Sequence, residues 1–199
     1  MSLHEKNGII NLFLGLLLIY TRVLPTIVLM KSDGSATALP PSGRPHPSGW
    51  RRWLGSTRFL VEGDSMQPAL ASRQHLLVDR LAYRFQSPAR GDVVVLRDPA
   101  QPGVHCVKRI VGLPGEHVQM EMGHVFINES LLDESYAAGR ELAEAPFPRQ
   151  WLLDKDEYLV LGDQRQDSRD SRAFGPVRRG DVVGRVWLRY WPPRAWRRL

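Results

Sequence analysis

The chain has 199 residues, 43% of them hydrophobic and 24% charged, enough for one globular core plus an appendage. A net charge of +6 favours an anionic partner surface, either membrane or nucleic acid. The single cysteine, Cys106, excludes an internal disulfide and cysteine-rich zinc sites, and the six histidines show no HExxH spacing, so neither metal nor cofactor is expected.

Ile9 to Met30 is apolar apart from Asn11 and Arg22 and is long enough to cross a bilayer. Arg22 costs about 2.5 to 3.5 kcal/mol on insertion scales, which the surrounding Leu and Ile offset. The competing reading is a cleaved signal peptide, with small residues at Ser35-Ala36-Thr37-Ala38. We expect a retained anchor over 1–31. Ser32 to Gly49 is rich in Pro, Ser and Gly with no periodic apolar pattern, so 32–49 is expected to be a flexible linker. Trp50-Arg51-Arg52-Trp53-Leu54 interleaves aromatic and guanidinium groups, a pattern suited to lipid headgroups. A solvated turn with one Trp on the core is the alternative. The expected partner is a lipid bilayer, and no nucleic acid.

From Arg58 onward the pattern turns to strands. His75 to Arg80, Asp92 to Leu96, His105 to Val111, Tyr158 to Leu161 and Asp181 to Tyr190 are short apolar runs bounded by Pro and Gly signals. His117 to Met122 and His124 to Asn128 flank Gly123 as a hairpin, and Leu132 to Pro148 reads as loop. The expected fold is mainly β: one antiparallel β-rich domain over 50–199 with long loops, preceded by one N-terminal transmembrane helix.

Two stretches carry chemistry. Val61-Glu62-Gly63-Asp64-Ser65-Met66-Gln67-Pro68 presents a serine in a turn, and downstream Lys108 sits inside an apolar strand. A serine hydroxyl is a weak nucleophile and needs a base against it. Lysine serves only when its charged form is disfavoured, as by burial. Strand alternation puts Cys106, Lys108 and Ile110 on one face and Val107, Arg109 and Val111 on the other. A salt-bridged or snorkelling lysine is the bland alternative for Lys108.

A third stretch, Leu161-Gly162-Asp163-Gln164-Arg165-Gln166-Asp167-Ser168-Arg169-Asp170-Ser171-Arg172, completes a set. The three, in this order, resemble the boxes of the bacterial type I signal peptidases, a Ser–Lys membrane protease family. Ser65 stands in a Gly-x-Ser-Met-x-Pro box, and Lys108 opens Lys108-Arg109-Ile110-Val111-Gly112-Leu113-Pro114-Gly115-Glu116. The resemblance runs from about Phe59 to Trp191 and implies a β-rich domain whose active site faces the bilayer.

It further implies that Ser65 is the nucleophile, that Lys108 is the general base, and that Ser168 hydrogen-bonds the lysine ammonium. Asp170 with Arg172, and Asp163 with Arg109, match structural ion pairs. The Ser65 backbone N–H matches one oxyanion donor. Many members add a serine hydroxyl two residues earlier, where this chain has Gly63, and Gln164 stands where Asn is usual. By residue chemistry alone, Asp170 or His105 could instead be the base.

The implied substrates are preprotein signal peptides with small residues at −1 and −3. Val61, Met66, Leu77 and Ile110 are candidates for lining the pockets. A narrow-substrate maturation protease of the same family, and an inactive membrane-anchored peptide-binding β module, are the alternatives. The implied location is the cell membrane, single-pass, with the domain on the extracytoplasmic side. The charges around the span, Lys6 before and Lys31 and Arg44 after, do not support that orientation by themselves. A long stretch separates Met30 from Ser65, whereas in the family the anchor runs almost directly into the serine box. The second and third boxes lie close together, so no large inserted second β domain is expected.

Overall fold

Valine, isoleucine and leucine gather in short apolar runs beyond residue 55, and such runs form strands because branched side chains pack well on a pleated surface. The structure, a computed structural model, describes residues 27–28, 55–139 and 149–199. Its strands are β1 (Ile27–Val28), β2 (Ser56–Leu60), β3 (His75–Asp79), β4 (Val93–Arg97), β5 (His105–Gly112), β6 (His117–Glu121) and β7 (His124–Ile127). They continue with β8 (Ser130–Leu131), β9 (Arg149–Leu152), β10 (Glu157–Leu161), β11 (Val177–Arg178), β12 (Val182–Trp191) and β13 (Arg197–Arg198). One short helix, α1 (Ser171–Phe174), precedes β11.

Among the described residues these strands make two sheets. The larger runs β1-β2-β3-β12-β4-β5-β10-β11, with β13 added to β12, and the smaller runs β8-β7-β6-β9. Pairing is antiparallel apart from β1 against β2, which is parallel. Each face of the larger sheet has its own apolar cluster. Phe59, Leu76, Val78, Val95, Val107 and Val186 gather on one. Val94, Leu96, Ile110, Val160 and Val182 gather on the other.

The smaller sheet packs on the end of β5 and on β10 through Val111, Val118, Met120, Val125, Leu159 and Leu161. Gly112 marks the junction, because a Cβ there would lie 2.7 Å from both Leu153 Cδ1 and Val118 Cγ2. Any larger residue would push the two sheets apart.

The segment between the second and third boxes forms the hairpin expected around Gly123, to which β8 and β9 are added as the small second sheet. Strand β9 lies in a run that reads as polar, and Leu132 to Gly139 is irregular but carries an isolated parallel bridge, Ala138 to Gln164. Residues 140–148 lie outside the described residues.

The expected anchor over Ile9 to Met30 lies outside the described residues except for Ile27–Val28, which are extended and pair with Phe59 and Leu60. Pro25 just upstream removes a helical hydrogen bond, and two β-branched residues follow, so an extended conformation is favoured there. No helix among the described residues is long and apolar enough to cross a membrane. The linker over 32–49 and the Trp50 to Leu54 segment also lie outside the described residues.

Candidate active site

The serine turn is built by Asp64. Its carboxylate accepts from the Gln67 side-chain amide, and from the Ser72 N–H at 3.0 Å. Its carbonyl accepts from Gln67 N–H at 2.8 Å, closing the turn around Ser65. Gly63 takes φ = 86°, a left-handed conformation that glycine adopts without steric cost. Met66 and Leu70, 2% and 0% exposed, pin the turn into the first apolar cluster.

Lys108 comes from the middle of β5, directly across from Val94 of β4. It is 2% exposed, and its Nζ donates to Ser65 Oγ at 2.7 Å. Burial holds its pKa below the ordinary lysine value; the nearby Asp170 carboxylate opposes this without reversing it. Cys106 and Ile110 contribute to the cluster on the Val94 side, and Val107 to the other, so β5 alternates as its sequence predicts.

The third stretch encloses this pair. Asp163 receives both the Nε and Nη2 groups of Arg109, at 2.8 and 2.6 Å. Arg109 also donates to the Gly91 carbonyl at 2.8 Å, tying the second stretch to the third and to the start of β4. Asp170 caps α1 and accepts from the Arg172 backbone and guanidinium and from Gly162 N–H at 2.9 Å. Burial alone would raise the Asp170 carboxyl, but Arg172, the Gly162 N–H and Lys108 outweigh it and hold it below the usual range. Held charged in this way, Asp170 is poorly suited to accept a proton.

Gly162 lets these parts close. A Cβ there would lie 2.1 Å from Ser168 Oγ and 2.7 Å from the Ser65 carbonyl oxygen. The Ser168 hydroxyl is buried beside it and makes no hydrogen bond, so the contact to the Lys108 ammonium that the resemblance implied is not formed here. His105 packs edge-on against Phe59 at 6.0 Å between ring centroids, on the Val107 side of β5. Its pKa is lowered by burial and then by Arg97 and Arg80.

The four residues suggested for substrate pockets do not come together. Val61 and Met66 share the cluster beside the serine turn. Leu77 joins Trp187 and Leu188 elsewhere, and Ile110 lies on the opposite face. The physical reason is strand alternation: Leu76, not Leu77, faces Phe59, and Val107, not Ile110, faces Val61.

Sequence reasoning also passed over Glu134, Tyr136 and Arg165. Arg165 and Glu134 form a buried ion pair, both side chains 0% exposed. A lone charge in a polar loop carries no sequence signal for such a partner.

One edge of this site is open. Strand β10 pairs with Arg109, Ile110 and Gly112 of β5, while β4 pairs with His105 to Arg109 along the other side. Among the described residues no strand covers the β10 side of His105 to Lys108.

Comparison with known proteins agrees with this arrangement. Residues 52–191 match the family described as signal peptidase, peptidase S26. The probable signal peptidase I-2 of Synechocystis sp. is 35% identical over 74% of this chain and 68% of its own length. The signal peptidase I of Leptolyngbya laminosa is 36% identical over 72% of each chain. The signal peptidase IB of Staphylococcus aureus is 32% identical over 68% of this chain and 78% of its own. With a matched family region that includes the serine turn, the buried lysine and the stretch enclosing them, the chain belongs to the signal peptidase family, peptidase S26, and is a hydrolase of peptide bonds.

Proposed function

We propose that the chain is a membrane-bound Ser–Lys endopeptidase that removes N-terminal signal peptides from secreted preproteins. The observation that carries this reading is the 2.7 Å contact between Ser65 Oγ and the Nζ of a lysine that is 2% exposed. A neutral Lys108 takes the Ser65 proton as Oγ attacks the scissile carbonyl. The resulting lysine ammonium protonates the leaving amine, and an acyl-enzyme remains. Lys108 then takes a proton from water, hydroxide attacks the ester, and Ser65 recovers its proton. The Ser65 backbone N–H is the proposed donor to the oxyanion. Asp163, Arg109, Asp170 and Arg172 hold the surrounding backbone, and Ser168 is proposed to orient the Lys108 amine by turning its unpartnered hydroxyl toward it.

The substrate is proposed to lie extended along the open β10 side of His105 to Lys108, where unpaired backbone groups favour an added strand. Side chains of such a strand alternate, so the −1 and −3 positions fall on one face. Selection for small residues there is steric: the cluster containing Val61, Met66 and Val107 excludes bulk.

A membrane anchor ahead of Ile27–Val28, within the expected 1–31, the extracytoplasmic placement of the domain and the lipid contact of Arg51-Arg52-Trp53 belong to the same proposal. Detergent-solubilised protein incubated with a preprotein should release one product, its mass placing the cut after a small residue. Absence of cleavage, or cleavage at scattered positions, overturns the reading. Added protease should reach the domain in cells stripped of their outer layers; protection would place it in the cytoplasm and remove the role.

A further inference from the structure

The third stretch is held on both of its edges. On one edge, Gln164 N–H donates to the Ser65 carbonyl at 3.1 Å. On the other, the Asp163 carbonyl accepts from Ala138 N–H at 2.8 Å, and Arg165 N–H donates to the Ala138 carbonyl at 3.0 Å. Residues 163–165 thus act as a short strand between the serine turn and the segment 134–139. The serine turn is anchored on its flanks by Asp64, by Met66 and Leu70, and by Gly63 N–H to Ser72 Oγ, while the Ser65 carbonyl itself is held by Gln164 N–H. The position of its main chain depends on what fixes 163–165.

That segment is fixed by charge. Arg165 Nη1 donates to Glu134 Oε2 at 3.0 Å, and its Nη2 donates to Glu134 Oε1. Tyr136 O–H donates to Glu134 Oε1 at 3.0 Å. The Tyr136 ring lies under the Arg109 guanidinium, 4.3 Å from Cζ to the ring centroid. Arg165 Nε reaches back to the Gly162 carbonyl at 3.2 Å. A buried ion pair of this kind is a weak source of stability, since desolvation offsets most of the attraction, but its planar two-point geometry restricts how its two chain segments lie.

We propose that Glu134, Arg165 and Tyr136 form a positioning clamp for catalysis, which locks residues 163–165 against 134–138 and thereby sets the place of the Ser65 main chain. The clamp rests on the reading of Ser65 as nucleophile. Its members touch neither substrate nor the reacting atoms, and they act through Gln164. Fixed geometry of this type enters kcat, because a nucleophile displaced by a fraction of an ångström loses near-attack alignment while the substrate-binding edge on β5 is unchanged.

The test separates positioning from folding. The double variant Glu134→Gln with Arg165→Met removes both charges, conserves volume and leaves an oxygen for the Tyr136 hydroxyl, so the domain should keep its Tm within a few degrees. Its kcat on a preprotein peptide should fall threefold or more with KM within twofold of wild type, and the pH limb of kcat should keep its shape. A smaller loss of kcat in the folded double variant overturns the clamp. Should that variant fail to fold, Tyr136→Phe decides: it removes one hydrogen bond and keeps the ring over Arg109. A twofold or larger drop in its kcat, with KM and Tm unchanged, supports the clamp, and anything smaller overturns it. Ser65→Ala is measured beside them. Cleavage by that variant overturns the nucleophile reading and the clamp with it, whereas an inert Ser65→Ala beside a fully active double variant overturns the clamp alone.

Discussion

Lys108 stands directly opposite Val94 in the pairing of β4 with β5, so the ammonium of the proposed base is set among valine, isoleucine and cysteine side chains rather than carboxylates. The nearest acid, Asp170, is committed to Arg172 and Gly162. Lys108→Ala and Ser65→Ala should therefore each lower kcat by about 10⁴-fold or more while the domain stays folded. Lys108→Arg should not rescue, because a guanidinium stays protonated and cannot take the serine proton. Residual cleavage within a hundredfold of wild type in any of the three would remove the assignment.

The same burial has a stability consequence. The folded-state pKa of Lys108 is lowered, so between that value and the unfolded one the unfolded chain binds more protons and stability rises with pH. Below the lowered value the lysine is charged in both states, and its burial opposes folding in full. Lys108→Met should accordingly raise Tm at neutral pH, with an advantage that narrows as the pH rises from the lowered value toward the unfolded lysine value and levels off above it. A lowered Tm at neutral pH would show that the buried ammonium is stabilised by its surroundings.

Activity should rise with pH along a limb that reports the ionisation of Lys108. Burial pushes the Cys106 thiol up to about 11, so it is uncharged over the range where that limb falls. Cys106→Ser and His105→Ala should leave the limb in place. A limb that vanishes in His105→Ala would transfer the role of base to the histidine.

Gly162→Ala should be more damaging than its size suggests. The added methyl meets Ser168 Oγ and the Ser65 carbonyl, the latter being backbone that cannot swing aside. We expect kcat to fall about a hundredfold or more, in line with small misplacements of catalytic groups. Adding Ser168→Ala should not recover it, since the Ser168 Cβ and the Ser65 carbonyl oxygen still lie 2.4 and 2.7 Å from the added methyl. Full recovery would mean that the serine side chain alone sets the tolerance.

Arg109→Met leaves the Asp163 carboxylate buried with its two charged hydrogen bonds gone. Loss of one partner from such a pair costs about 3–5 kcal/mol. Urea denaturation should read this as a lower midpoint with an unchanged m-value. The change to Arg109→Met with Asp163→Leu should restore a substantial part of the loss.

The central strands were legible as short apolar runs bounded by Pro and Gly signals, and both of their faces are buried. In His105 to Val111 the period of two then gave the shared facing of Cys106, Lys108 and Ile110. Arg149 to Leu152 was not legible: it forms an edge of the smaller sheet, and only Trp151 among its residues is partly buried, so it shows no apolar period. In the site, the three stretches could be read because their residue types are unusual together. The Glu134–Arg165 pair could not, because a contact between residues 31 apart leaves no local trace. Of the residues suggested for the pockets, Val61 and Met66 share one cluster, while Leu77 and Ile110 lie in two others.

The open side of β5 has a consequence for which polypeptides are acted upon. A strand edge offers amide and carbonyl groups and accepts only a chain whose own are free. A helix satisfies those groups internally, so the hydrophobic stretch of a leader passes the site unread for as long as it stays coiled. With substrate bound on that edge as proposed, the cut would fall where the helix has ended and the chain runs straight. Helix-breaking residues a few positions before the junction would then govern the outcome as strongly as the small residues beside it, and a leader whose helix is extended through the junction would escape hydrolysis with every side chain there left in place.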